Sequence, residues 1–499
     1  MSEKLGKLKD LLAEVNDLHH AAAILEWDQQ TYMPPGGAEA RGQQLATLGK
    51  LAQIKFTSDE VGSLLSDLAS ELAGDTHSEN AALVRVAQRD YDKAVRVPPE
   101  FVAERARVTT HAHEAWVEAR KQSNFSIFRP HLEKVLDLVR QYISFFPVAE
   151  HAYDTLLDDY EPGMKTADVR RIFDDLRPQQ VDLIRKISER KPPEDKVLHR
   201  KYDQAKLVEF AVQVATQFGY DWSRGRQDRA PHPFETTFSI NDVRITTRFE
   251  PKAPINTLFN TLHESGHAMY EQGVKQEYER THLMGGCSLA LHESQSRMWE
   301  NLVGRSMPFW EHFFPEFKRR FPSQVGDVGV KGFYKAVNKV QPSFIRVEAD
   351  EATYNLHIML RLELEIGMIE GTIKIVDLPE VWNAKMKEYL GIIPPNDAQG
   401  VLQDIHWSGG SIGYFSTYAL GNLVSAQLWE KILKDIPDLA AQIRNGKFAS
   451  LLSWLRTNLH LHGRRYEPQE MVERITGSRI DSAPYVRYLT AKYGEIYKL

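Results

Sequence analysis

His263-Glu264-Ser265-Gly266-His267 sits inside the run Asn256–Tyr270, and the reading of that run decides the fold. Leu258, Phe259, Leu262, Met269 and Tyr270 recur at helical spacing, and Asn256 with Thr257, after Pro251 and Pro254, is the expected cap. On a helix, residues four apart share a face, so His263 and His267 can reach one cation together. Glu264, beside the first histidine, is placed to act as general base on water held there. An HExxH string also arises by chance in ordinary helices, so the metal reading needs a third ligand.

Glu293, in His292-Glu293-Ser294-Gln295, is the candidate. It lies far enough beyond His267 for one helix to end, turn at Gly285-Gly286, and a second to pack against it. Two imidazoles and a carboxylate leave a position open, as catalytic zinc sites do, and the same set accepts cobalt. Glu300, two turns on, reads either as an outer acceptor for a ligand histidine N–H or as a solvated carboxylate.

Composition narrows the class. A chain of 499 residues can bury a large core, and a formal charge of −6 argues against nucleic acid or anionic membrane as main partner. The single cysteine, Cys287, rules out an internal disulfide and suits a reducing compartment. Met1–Lys7 is charged and lacks the apolar stretch of a signal peptide, and no segment is apolar for long enough to span a bilayer. These observations predict a cytoplasmic protein.

The fold class is mainly α. Helical periodicity covers about 5–25, 36–54, 59–73, 78–95, 99–121, 126–158 and 167–190, and Lys191–Lys196 reads as a linker. The one clear β signal is Phe238–Phe249, where Val243, Ile245, Thr247 and Phe249 alternate with polar residues. Just ahead of the HExxH helix, the edge of such a strand could hold an extended peptide beside a metal.

Peptide hydrolysis also needs a donor for the oxyanion. Gly400–Gly410 reads as a helix ending near Trp407, with a restart capped by Ser411, and His406 sits at the break. Tyr414 and Tyr418 are four apart and can present hydroxyls together; aromatic packing is the other reading. A terminal carboxylate calls for a guanidinium, and Arg346 and Arg244 are the candidates. By spacing alone, Arg346 and Asp350 read as an i,i+4 pair on a helix.

Five ordered segments carry a resemblance: the HESGH and HESQ runs, Asp242–Thr246, Ile345–Asp350 and Gly400–Trp407. Together with Trp27–Arg41 and Tyr160–Gly163, they are similar to the carboxypeptidase Taq family of HExxH metallopeptidases, nearly end to end. The resemblance implies a broad-specificity metal-dependent carboxypeptidase acting on peptides, usually a homodimer. It implies a large helical, two-lobed, neurolysin-like subunit with a deep groove and a small sheet beside the HExxH helix. Residues 1–499 are then one unit, with about 1–230 as wall and lip and about 231–499 carrying the metal and substrate sites. His263, His267 and Glu293 become ligands and Glu264 the base, while His292 shapes the site from outside the ligand set. Arg346 is the first choice for the carboxylate anchor and Arg244 the second. Tyr418 is favoured over Tyr414 for the oxyanion, with His406 beside it. Zinc is the default metal and cobalt the alternative. An oligopeptidase on the same scaffold is the rival function.

Overall fold

Three-and-four apolar spacing becomes helix along most of the chain, in a computed structural model that describes residues 3–75 and 77–499. Glu3–Thr31, Ala38–Phe56, Asp59–Glu71, Glu79–Arg96, Pro99–Gln122 and Thr166–Ser188 correspond to predicted segments. The expected continuous helix over 126–158 is instead two, Phe125–Ser144 and Ala152–Leu157. Pro147 explains the break, because it lacks an N–H and bars Phe146 from helical dihedrals. The second piece restarts at His151, whose ring accepts from the Tyr153 N–H at 3.0 Å.

The chain forms two compact units, Met1–Val95 with Asp195–Val337 and Leu428–Gly477, and Arg96–Glu194 with Asn338–Gln427 and Ser478–Leu499. One boundary, between Glu194 and Asp195, falls in the expected linker.

In the first unit, Leu5, Leu8, Leu12 and Val15 line one face of the opening helix and pack with Val61, Leu65, Leu68, Leu83 and Val86. The same core takes in Ile240, Val274 and Leu283, so the N-terminal helices brace the sheet and the end of the HExxH helix. The sheet has strands β1 (Gln227–Arg229), β2 (Glu235–Ser239) and β3 (Asp242–Thr247), in the order β1-β3-β2. The predicted single strand thus contains the end of β2, a tight turn and β3. Ile245 is paired with Gln227 on one side and Glu235 on the other, which makes β3 the central strand. Its backbone is therefore committed within the sheet, and the edge expected to hold a peptide belongs to β1 and β2 instead.

The HExxH helix runs over Asn256–Glu271 with Ile255 at its cap position and no side-chain capping bond, contrary to the predicted role of Asn256 and Thr257. The Thr257 hydroxyl donates instead to the Arg248 carbonyl at 3.3 Å and ties the helix to the end of the sheet. Gly266 sets how closely the next helix, Leu289–Arg297, can cross. A Cβ there would sit 2.6 Å from the Gln295 carbonyl oxygen and 2.7 Å from the Ser296 Cα. Any larger residue would push His267 away from Glu293.

The second unit centres on the helix Tyr354–Glu370, buried on nearly every face. Arg346 lies in a single 3₁₀ turn, Arg346–Glu348, rather than on the predicted helix. A second such turn, His406–Gly409, is followed by Gly410 and Gly413 at positive φ, and the helix resumes at Ser416 rather than Ser411. Gly413 has to be glycine, since at φ +97° a Cβ would lie 2.7 Å from the Leu156 carbonyl oxygen. Among the described residues, no helix is long and apolar enough to cross a membrane.

Candidate active site

His263 and His267 project from one helix face toward Glu293 on the crossing helix. Their Nε2 atoms lie 3.5 and 3.3 Å from the same Glu293 Oε2, and one ligand atom from each residue falls within 4.8 Å of the others. A tetrahedral ion with bonds of about 2.1 Å separates its ligand atoms by about 3.4 Å. Both imidazole-to-carboxylate separations match that spacing, so the trio suits a divalent ion.

The supporting bonds aim these atoms. The Arg297 guanidinium donates to Glu293 Oε1 at 2.6 Å and the Ser296 hydroxyl to Oε2 at 2.9 Å. Burial would raise the Glu293 carboxyl, but Arg297, His263 and His267 outweigh it and hold it well below the carboxylate range. Burial also lowers His267 to about 3, which keeps the ring neutral and able to donate a lone pair. Glu300 takes the outer place that one sequence reading gave it, 2.9 Å from His263 Nδ1. It sits in a widened π-helical turn, Met298–Val303, with Arg305 Nη2 donating to Oε1 at 3.0 Å. Although burial opposes ionisation, His263, Arg297 and Arg305 hold Glu300 near 2.

Glu264 is 6 % exposed, and burial raises its carboxyl to about 7 against the pull of His263; Glu235, Glu293 and Glu300 add to the rise. A base poised near neutrality both takes and returns a proton readily. Glu235, on β2, is another carboxyl raised by burial to about 7. Sequence reading missed it, because only the sheet register brings it here. It also missed Glu271, which lies 2.8 Å from His292 Nε2, while His292 Nδ1 is 2.5 Å from His267 Nδ1. A signal for Glu271 did exist, since 263, 267 and 271 continue one helical stripe.

Arg244 belongs to the same unit but not to this cluster. Its Nε and Nη2 each bind Asp242 at 2.8 Å, and its guanidinium lies between the rings of Trp27 and Phe238, at 4.5 and 4.9 Å.

The second unit gathers Arg346, His406, Tyr414 and Tyr418. Asp350 is not Arg346's partner, because the chain turns extended at Ala349 and no helical i,i+4 geometry forms. Asp350 instead caps the next turn, accepting from Ala352 and Thr353 N–H at 2.9 and 3.1 Å. Arg346 Nε and Nη2 donate to Asp404 Oδ1 at 3.1 and 2.9 Å, and Nη1 to the Tyr354 hydroxyl at 2.8 Å. Arg361 binds the other oxygen, Oδ2, through Nε at 2.7 Å. Two guanidiniums thus share one carboxylate, an excess of positive charge suited to an incoming anion. Burial would raise Asp404, yet Arg346 and Arg361 hold it very low.

Arg346 stacks on Tyr418 at 4.9 Å. The Tyr418 ring lies 5.3 Å from that of Tyr414 and 6.5 Å from His406. All three are half-buried, and burial keeps the Tyr418 phenol protonated, hence a donor. Glu365, absent from the sequence reading, braces this loop by accepting from Tyr153 Oη at 2.6 Å, Trp407 Nε1 at 2.8 Å and Gly413 N–H at 3.0 Å.

Against known proteins, residues 7–493 match the family described as carboxypeptidase Taq (M32) metallopeptidase. The chain is 40% identical to thermostable carboxypeptidase 1 of Thermus thermophilus, and the match covers 98% of each. It is 35% identical to carboxypeptidase 1 of Bacillus subtilis, again over 98% of each. Among solved structures, the M32 carboxypeptidase of Deinococcus radiodurans superposes over 100% of both chains with a TM-score of 0.96 at 40% identity. The Pyrococcus furiosus carboxypeptidase gives 0.95 at 37% identity over 99% of each.

Proposed function

The chain belongs to the carboxypeptidase Taq (M32) metallopeptidase family and is a metal-dependent carboxypeptidase, and from that footing we propose which residues do the work. His263, His267 and Glu293 hold the metal. The single observation that carries this is the convergence of two Nε2 atoms on one Glu293 oxygen at coordination spacing. When bound, a divalent ion supplies Lewis acidity to water and to the scissile carbonyl. Zinc is our first assignment and cobalt the second, because the donor set is borderline in hardness.

Glu264 takes the proton of the attacking water and passes it to the leaving amine. Tyr418 donates to the developing oxyanion, with His406 and Tyr414 flanking it. Arg346 binds the terminal carboxylate of the peptide and so limits release to one residue at a time. Arg244, packed against the Trp27 and Phe238 rings, shapes the substrate end of the sheet. The endo- or dipeptidyl-cutting alternative is not favoured.

We read 1–499 as one metallocarboxypeptidase unit, since a single family model matches residues 7–493. The family resemblance supports a homodimer, and the presence of a single, buried cysteine, Cys287, supports the cytoplasm as its location. Incubating the purified protein with a free-acid peptide, with and without chelator, tests the assignment. A ladder losing one C-terminal residue at a time, stopped by chelation and restored by zinc, is expected. Internal fragments would sink the carboxylate-anchor role of Arg346.

A further inference from the structure

The two ligand histidines are held in different ways. His263 Nδ1 meets a carboxylate directly, at Glu300. His267 Nδ1 meets another imidazole, and only that second ring, His292, reaches a carboxylate, at Glu271. Glu271 is 5 % exposed and lies one helical turn beyond His267 on the same helix. Its Oε1 also accepts from the Gly286 N–H at 3.2 Å, which fixes that oxygen as an acceptor.

Proton counting sets the direction of this chain. An ionised carboxylate only accepts, so His292 Nε2 carries a hydrogen. A His267 that binds metal through Nε2 carries its hydrogen on Nδ1, which makes His267 Nδ1 the donor and His292 Nδ1 the acceptor across their 2.5 Å contact. His267 Nε2 is left with its lone pair, on the side facing Glu293 at 3.3 Å. Reversing the chain would place a hydrogen on His267 Nε2 and close it to a metal.

We propose that Glu271 and His292 form a relay that locks His267 in the tautomer able to bind the metal, making both positioning residues rather than ligands. The geometry around His292 supports a fixed ring. Its plane is inclined 28° to that of His267, and Tyr270 flanks it with centroids 5.3 Å apart. The inference rests on His267 being a ligand, as proposed above.

The test is zinc affinity of the full-length apoprotein, measured by competition with a chromophoric chelator. His292→Phe removes the acceptor and Glu271→Leu the end of the chain. Each should weaken zinc binding about 10- to 100-fold. His292→Gln, which restores an acceptor oxygen, should regain part of the loss. Because the parts act in series, the double variant should bind zinc no more weakly than His292→Phe alone. Zinc binding as tight as wild type in either single variant, or losses that multiply in the double, would overturn the relay. Thermal midpoints of the apoproteins separate this from simple loss of packing, which would lower them without changing zinc affinity. Either single variant carries the test if the other fails to fold. His267→Ala is the control on the site itself: if it still binds zinc stoichiometrically, the ligand assignment fails and the relay with it.

Discussion

Replacing Arg346 by alanine separates recognition of a terminal carboxylate from the rest of catalysis. Asp404 and Tyr354 occupy Nε and one N–H on each terminal nitrogen. One N–H of Nη1 and one of Nη2 remain for a substrate carboxylate. Two charge-assisted bonds of about 1.5 kcal/mol each amount to about 3 kcal/mol, or on the order of 100-fold in kcat/KM. Burial disfavours the charge on Arg346, but Asp404 with the Tyr354 and Tyr418 hydroxyls reverses this and keeps it cationic. After the substitution Asp404 still holds Arg361, through Nε at 2.7 Å, so no carboxylate is left buried and unpaired. Rates on a free-acid peptide and on its C-terminal amide should be compared in wild type and variant. The free acid should lose about 100-fold while the amide hardly moves, bringing the two rates together. Equal losses on both substrates would refute the anchor and point to a structural role for Arg346.

Glu264→Gln should retain metal at wild-type stoichiometry while kcat falls by about 10²- to 10⁴-fold, and a near-normal rate with metal in place would remove its role as base. Tyr418→Phe should lower kcat by about 10²- to 10³-fold with KM little changed, and more than Tyr414→Phe does; the reverse order would hand the oxyanion to Tyr414. Glu365 gives a pH prediction of known sign: burial raises it to about 7 while Tyr153, Gly413 and Trp407 pull it down. The folded protein holds this proton more tightly than the unfolded chain, so its contribution is complete below the ordinary value of 4.5 and is lost as pH rises through about 7. Glu365→Gln should flatten that stretch of the curve of thermal midpoint against pH, and an unaltered slope would show that Glu365 is not the group responsible.

Local spacing made the proposed ligand set legible. Four residues along a helix is a fixed displacement, so His263 and His267 shared a face before any fold was known. Glu293 needed one further fact, that its helix crosses at Gly266, where backbone atoms come close enough to replace a Cβ. Helix content followed from periodicity too, and failed at Pro147, where one lost N–H outweighed a good apolar pattern.

Partner choice was not legible, because it is made across long stretches of chain. Arg346 seemed by spacing to belong with Asp350, yet it is Asp404 that it meets, 58 positions away, with Arg361 on the opposite oxygen. The β3 pattern showed a strand but not its neighbours, and pairing on both sides took away the edge that spacing had suggested. Sequence by itself determined the helical class, the two-histidine stripe and the family. Tertiary structure decided which carboxylate steadies each imidazole and guanidinium, since hydrogen bonds of about 3 Å depend on distances that only folding sets.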